Sequence, residues 1–209
     1  LSRMDTILSQ QGIRIGDVDY YDLADAKFDS VDNDSEFRQM LALSSGAAHV
    51  RLNLFFVKQT FGGQVLGVSA TIAGPKLNGT RMSGVASVYQ GLPSSSVGRI
   101  AAHEIGHFVG LDHTAEQDGT HDQIDDTAKC PATGTSTTCP TPGGGYLMHW
   151  QSVSGIEITD GQGSVVRGHP HLEPDFGVAK PSPPAAIDVQ ALTETLPLVV
   201  VSPWSTLRM

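Results

Sequence analysis

The chain has 209 residues, room for one domain with a sizeable core and a tail, but not for a second large domain. Its 22 acidic residues outnumber its 13 basic ones, and the formal net charge of −9 argues against nucleic acid or an anionic membrane surface as a partner. Charged residues make up only 17% while Gly, Ser, Thr and Pro are plentiful, a sparsely charged, loop-rich composition associated with secreted proteins. No apolar run is long enough to span a membrane and no signal peptide is visible. Beginning at Leu1, the chain reads as a fragment or mature form, with any export signal or pro-segment lying upstream.

Met4, Ile7 and Leu8 fall at helical spacing within Ser2 to Gln11, and Gly12 is a helix stop. Ile13 to Tyr20 alternates apolar and polar residues, the period of a strand with one buried face. Asp32, Asn33 and Asp34 precede Ser35 to Leu43, a short helix whose acidic start suits its dipole; the acidic cluster reads as capping, with calcium binding as the alternative. Val50 to Val57 is rich in β-formers and ends in a continuous apolar run, as a central strand does. Phe61-Gly62-Gly63 turns the chain, and Gln64 to Ala73 and Ser83 to Tyr89 supply two further strands around the Gly- and Pro-containing segment Gly74 to Gly79. A sheet of at least four strands follows.

Pro93 and Ser94-Ser95-Ser96 open a helix in which Val97, Ile100, Ala101, Ile105, Phe108 and Val109 can bury apolar surface. On it stands His103-Glu104-Ile105-Gly106-His107-Phe108-Val109-Gly110-Leu111-Asp112-His113. Residues four apart share a helix face, so His103 and His107 can aim two imidazoles at one point. Glu104, rotated by about 100°, puts a carboxylate beside that point, where it can hold and deprotonate a water. Gly110 can take the left-handed conformation that ends a helix, so that His113 swings back as a third ligand. Three protein nitrogens with an open fourth position are the arrangement of a catalytic zinc, whereas structural zinc sites are closed by four protein ligands. A bare His-Glu-x-x-His occurs by accident on ordinary helices; the added Gly110 and His113 make coincidence remote.

Thr114 to Gly145 is long and polar. Asp118, Asp122, Asp125 and Asp126 gather near His121; Ca²⁺ is one reading, a solvated acidic loop the other, and the spacing does not match an EF-hand. His121 reads as a surface residue. Cys130 and Cys139 lack the Cys-x-x-Cys spacing of a ribbon or redox dithiol and read as one disulfide, which implies an oxidising compartment. Thr159 to Leu172 is a last helix, with Val165 and Val166 packing beneath the site and His169 and His171 at the surface. After Glu173-Pro174, the prolines at 181, 183 and 184 mark a linker, and Leu196 to Val201 a short apolar strand or tail. The expected organisation is thus a catalytic domain over residues 1–172 and a linker and tail over 173–209.

His103 to His113 resembles the elongated zinc motif of the metzincin clan of metallopeptidases. Such families also carry a methionine turn, and Gly143-Gly144-Gly145-Tyr146-Leu147-Met148-His149-Trp150 offers one, with Met148 as the apolar floor beneath the metal. His113-Thr114, Asp125-Asp126-Thr127 before Cys130, and Tyr146-Leu147-Met148 look most like the pappalysin branch. The resemblance implies an α+β (α/β-like) metzincin catalytic domain, with a twisted mixed sheet, a zinc-bearing core helix and a largely irregular C-terminal part. It implies a zinc-dependent endopeptidase whose protein or peptide substrate lies extended along an exposed edge strand, for which Gln64 to Ala73, with Gly67, Ser69, Ala70 and Thr71 allowing close approach, is the candidate. It also implies secretion or another extracytoplasmic location. One departure is Trp150, where several metzincin families have a tyrosine; an indole cannot replace the phenol oxygen. The alternatives are a zinc hydrolase of a non-peptide substrate and a catalytically silent zinc-bearing binding or adhesion module.

Overall fold

The structure is a computed structural model, and it describes residues 1–23, 25–116, 118–129, 145–151, 155–173 and, as backbone, 199–203. Helix α1 (Ser2–Leu8) runs into a 3₁₀ turn over Ser9–Gln11 and stops at Gly12, whose φ of 69° is left-handed. Strand β1 (Val18–Asp22) starts later than the alternation from Ile13 predicts, because the amides before it are used by α1: Ile13 N bonds Leu8 O and Ile15 N bonds Asp5 Oδ1 at 2.9 Å. Strand β2 (Ser30–Val31) precedes α2 (Asp34–Ala42). The acidic cluster before α2 caps it. Asn33 Oδ1 accepts from Glu36 N, while Glu36 Oε2 accepts from Asp32 N, satisfying donors that a helix start leaves open.

Strands β3 (Leu54–Val57), β5 (Gly67–Ser69) and β6 (Val85–Val88) are shorter cores of the expected segments, whereas β4 (Gln59–Thr60) falls between them. Before β3, Arg51 N and Asn53 Nδ2 bond the Asn78 side chain, so those residues join a loop rather than a ladder. The main sheet has five strands in the order β1-β7-β3-β6-β5, where β7 (Val199–Pro203) comes from the apolar stretch near the C-terminus. β3 and β6 are parallel; β7 is antiparallel to β1 and β3, and β5 is antiparallel to β6. β2 and β4 form a small parallel pair.

Helix α3 (Ser94–Phe108) and α1 lie on one face of the sheet, α2 on the other. Leu54 and Val85 join the core with Met4, Ile7, Ala101, Ile105 and Phe108, while Phe55, Val57, Ala86 and Val88 pack with Phe37, Met40 and Leu41. Burial on both faces explains the unbroken apolar run of β3 and, in β6, a run broken only by the buried Ser87. The fold is therefore a mixed α+β domain with a twisted mixed sheet and one deeply buried helix.

Helix α4 (Asp160–Arg167) is shorter than the expected Thr159 to Leu172 and carries a capping box: Thr159 Oγ1 accepts from Gln162 N, and Gln162 Oε1 from Thr159 N. Val166 is buried, whereas Val165 is 39% exposed, so only one of the two valines packs as expected. His169 and His171 are not at the surface. They are 6% and 0% exposed, stack with ring centroids 5.4 Å apart, and bond the carbonyls of Gly74 (2.9 Å) and Pro75 (3.3 Å). The pair fastens the segment after β5 against Phe108 at the end of α3.

Candidate metal centre

Helix α3 carries His103, Glu104 and His107, all buried. Its end is built as the sequence requires. Gly110 has φ 109°, Leu111 N bonds Gly106 O at 2.9 Å and Gly110 N bonds His107 O at 3.0 Å, a Schellman termination that reverses the chain and brings His113 back. The three imidazoles meet: His103 Nε2 and His107 Nε2 lie 3.2 and 3.0 Å from His113 Nε2.

What surrounds each ring decides what those contacts are. His103 Nδ1 is 2.6 Å from Leu147 O, His107 Nδ1 is 2.7 Å from Leu111 O, and His113 Nδ1 is 2.6 Å from Glu116 Oε1. Carbonyls and carboxylates only accept, so in the neutral rings Nδ1 carries the hydrogen and Nε2 presents a lone pair. Burial first, and the neighbouring histidine second, push His103 down to about 3 and His107 down to about 4, so both are neutral at ordinary pH. Lone pairs that face one another at this distance repel, and a cation among them removes the conflict. The spacing is close to the ~3.3 Å edge of a tetrahedron of nitrogens around zinc. His103, His107 and His113 are the group among the described residues whose ligand atoms can hold a metal ion together.

Glu104 lies on the same helix, and burial pushes its carboxyl up to about 8. A cation beside it reverses that preference and favours the carboxylate. Its neighbour is the backbone of β5: a Cβ built on Gly67 falls 2.6 Å from Glu104 Cγ and 2.7 Å from Oε1. β5 ends the sheet; at its two ends Leu66 O accepts from Val88 N of β6 and Ala70 N donates to Gly84 O just before β6. The alternation of an antiparallel ladder then turns the N–H and C=O of Gly67 and Ser69 to the open side.

Met148 is fully buried beneath the histidines, its sulfur packed against Gly106 of α3. The turn that carries it is tied to the site at both ends, by Leu147 O on His103 and by Met148 O accepting from Thr114 N at 2.9 Å. Tyr146 is buried with its phenol oxygen accepting from Ala128 N at 3.2 Å, so that hydroxyl serves the loop before it. His149 is buried and stacks on Trp150 at 6.2 Å.

The calcium reading finds no support, for α2 or for the 118–126 loop, because among the described residues the acidic side chains there form no group whose oxygens could hold an ion together, and several are engaged elsewhere. Asp118 accepts from Thr120 N, Asp122 from Thr127 Oγ1 and Ile124 N, and Asp126 from Thr159 Oγ1 and Gly161 N. His121 is half-buried and stands outside the cluster. Cys130 and Cys139 lie outside the described residues. Sequence reasoning missed Glu116, for which the only signal was its place three residues after His113, and it assigned the small size of Gly67 to a peptide rather than to Glu104.

A helix that holds two histidines and a glycine turn that returns a third, with Met148 packed against Gly106 of that helix, make a site that could hold a metal ion. A family model described as metallo-peptidase family M12, of reprolysin type, matches residues 11–159, and the chain belongs to that family. No curated protein matches the chain. The finer likeness to pappalysins rests on the flanking residues alone.

Proposed function

We propose that the protein is a zinc-dependent endopeptidase of the metzincin clan, its catalytic domain formed by residues 1–172 together with strand β7, which pairs with β1 and β3. The observation that carries the metal is the convergence of three Nε2 lone pairs, each held in place by an acceptor on the opposite ring nitrogen. His103, His107 and His113 would hold Zn²⁺, Gly110 makes the turn that allows it, and Met148 is the floor. Zinc bound there supplies a Lewis acid for the scissile carbonyl and lowers the pKa of water. Glu104 accepts the proton of the attacking water and passes it to the leaving amine, so no covalent intermediate with the protein is required. An extended peptide can pair with the free edge groups of Gly67 and Ser69, which brings its backbone past Glu104. Among the described residues no helix is long and apolar enough to cross a membrane. An extracytoplasmic location is supported by the family resemblance and by the proposed pairing of Cys130 with Cys139, which alkylation with and without reductant tests: two thiols reactive before reduction would remove the second support.

The decisive experiment is cleavage of casein and a peptide library by the full chain, with zinc content measured in parallel. One zinc per chain is expected, with activity lost on chelation and reduced by ~10²–10⁴ in Glu104→Ala with zinc retained. A chain that binds zinc, cleaves no peptide after removal of any pro-segment and hydrolyses another substrate supports the non-peptide reading. One that turns over nothing supports the silent binding module.

A further inference from the structure

The three rings are not held alike. His103 and His107 stand on α3 and give their Nδ1 hydrogens to backbone carbonyls that the fold supplies. His113 lies beyond the helix, and its Nδ1 meets a side-chain carboxylate, Glu116 Oε1, at 2.6 Å. The loop is shaped to bring that carboxylate there. Glu116 N bonds Thr120 O at 2.8 Å, Gly119 N bonds Glu116 O at 3.1 Å, Ala115 pairs with His121, and Asp118 Oδ1 accepts from Thr120 N at 2.9 Å. Gly119, with φ 89°, makes the reversal possible. Thr114 N on Met148 O then fixes the backbone between the ring and its partner.

Resting on the zinc reading of the same site, we propose that Glu116 is a positioning residue for the third ligand: its carboxylate selects the tautomer and direction of the His113 ring and so sets the affinity of the centre for its metal. Two effects are separable. As an acceptor, Glu116 keeps the hydrogen on Nδ1 and the Nε2 lone pair toward His103 and His107. As a charge, its half-exposed carboxylate sits against the ring on the side away from the metal position and, with the Glu104 carboxylate, balances the two positive charges of a divalent ion. Glu104 and Glu116 touch different parts of the site, so loss of Glu116 acts on metal retention.

The variants are Glu116→Gln, which keeps an acceptor and removes the charge, and Glu116→Ala, which removes both. Zinc affinity by chelator competition should fall ~10–100-fold in Glu116→Ala and less in Glu116→Gln. Nitrogen-15 NMR of the metal-free full chain should show the Nδ1–H tautomer of His113 in wild type and Glu116→Gln, and a mixture in Glu116→Ala, with His103 and His107 unchanged. The proposal is overturned if Glu116→Ala keeps both wild-type affinity and the His113 tautomer. It is equally overturned if all three histidines change together with a drop in melting temperature, because Glu116 would then support the fold and not the ligand. If wild type binds no zinc, the zinc reading fails and the tautomer measurement alone decides the role of Glu116.

Discussion

Gly67 and Glu104 share one space: where any other residue on β5 would place a Cβ, the Glu104 side chain already stands, 2.6 Å away at Cγ and 2.7 Å at Oε1. The edge strand therefore runs closer to the buried carboxyl than a strand with side chains could. Gly67→Ala should displace the carboxyl by the better part of an ångström. Turnover of the best peptide should drop about a hundredfold, in line with the cost of misplacing a reacting group by that much. Zinc content should stay at the wild-type level. Unchanged kcat with normal folding would show that Glu104 has room to spare.

Gly106 and Met148 make the second close contact. A Cβ on Gly106 drives into the Met148 sulfur and reaches 3.1 Å from its methyl carbon. Gly106→Ala should destabilise by ~1–3 kcal/mol through overpacking, whereas Met148→Leu, which roughly conserves volume, should cost less than about 1.5 kcal/mol. Gly46→Ala, with nothing within 4 Å of the new carbon, is the control. Urea midpoints of the three variants measure the difference, and equal shifts at 46 and 106 would remove the packing argument.

Asp126 ties the loop after the third histidine to the start of α4, accepting from Thr159 Oγ1 at 2.7 Å and Gly161 N at 2.8 Å. Both bonds are partly open to water, so Asp126→Ala should cost about 1–2 kcal/mol. A shift in the urea midpoint without a change of slope is the expected signature. A variant as stable as wild type would mean that the loop finds other anchors.

His171 gives the acid response a definite sign. Burial first, then His169, holds it down to about 4, with Lys76 lowering and Glu173 raising it further. The unfolded chain binds its proton near 6.5, so stability is complete above that pH and is lost as pH falls toward 4, by at most ~3 kcal/mol from this residue. His171→Gln can retain a donor to Pro75 O without titrating. Its melting temperature should fall less steeply than that of wild type between pH 6.5 and 4. Parallel curves would assign the acid response to other groups.

The metal centre was legible because its chemistry is local: helical spacing alone brings His103, Glu104 and His107 together, and Gly110 announces its own turn. Strands were legible in kind but not in extent. The alternation from Ile13 to Tyr20 cannot reveal that amides 13 and 15 are taken by α1, leaving Val18–Asp22 to pair with a strand from near residue 200. His169 and His171 flank a proline in a polar stretch and read as solvated. The carbonyls of Gly74 and Pro75 that bury them lie nearly a hundred positions earlier. Glu116 needed the reversal at Gly119 before its carboxylate had anything to face.

The bond between His103 and Leu147 O joins positions 44 residues apart, and the one between Thr114 N and Met148 O runs beside it. In polymer terms the centre is a clasp. An ion captured by three imidazoles fixes not only their rings but also the turn behind His103, closing a loop that contains the whole stretch from α3 to Met148. Closure of such a loop is opposed by chain entropy, and a ligand that binds only the closed form favours it in proportion to the logarithm of its concentration over its dissociation constant. On the proposed zinc reading, the same three histidines would make the ion a reversible fastener between α3 and the turn that carries Met148.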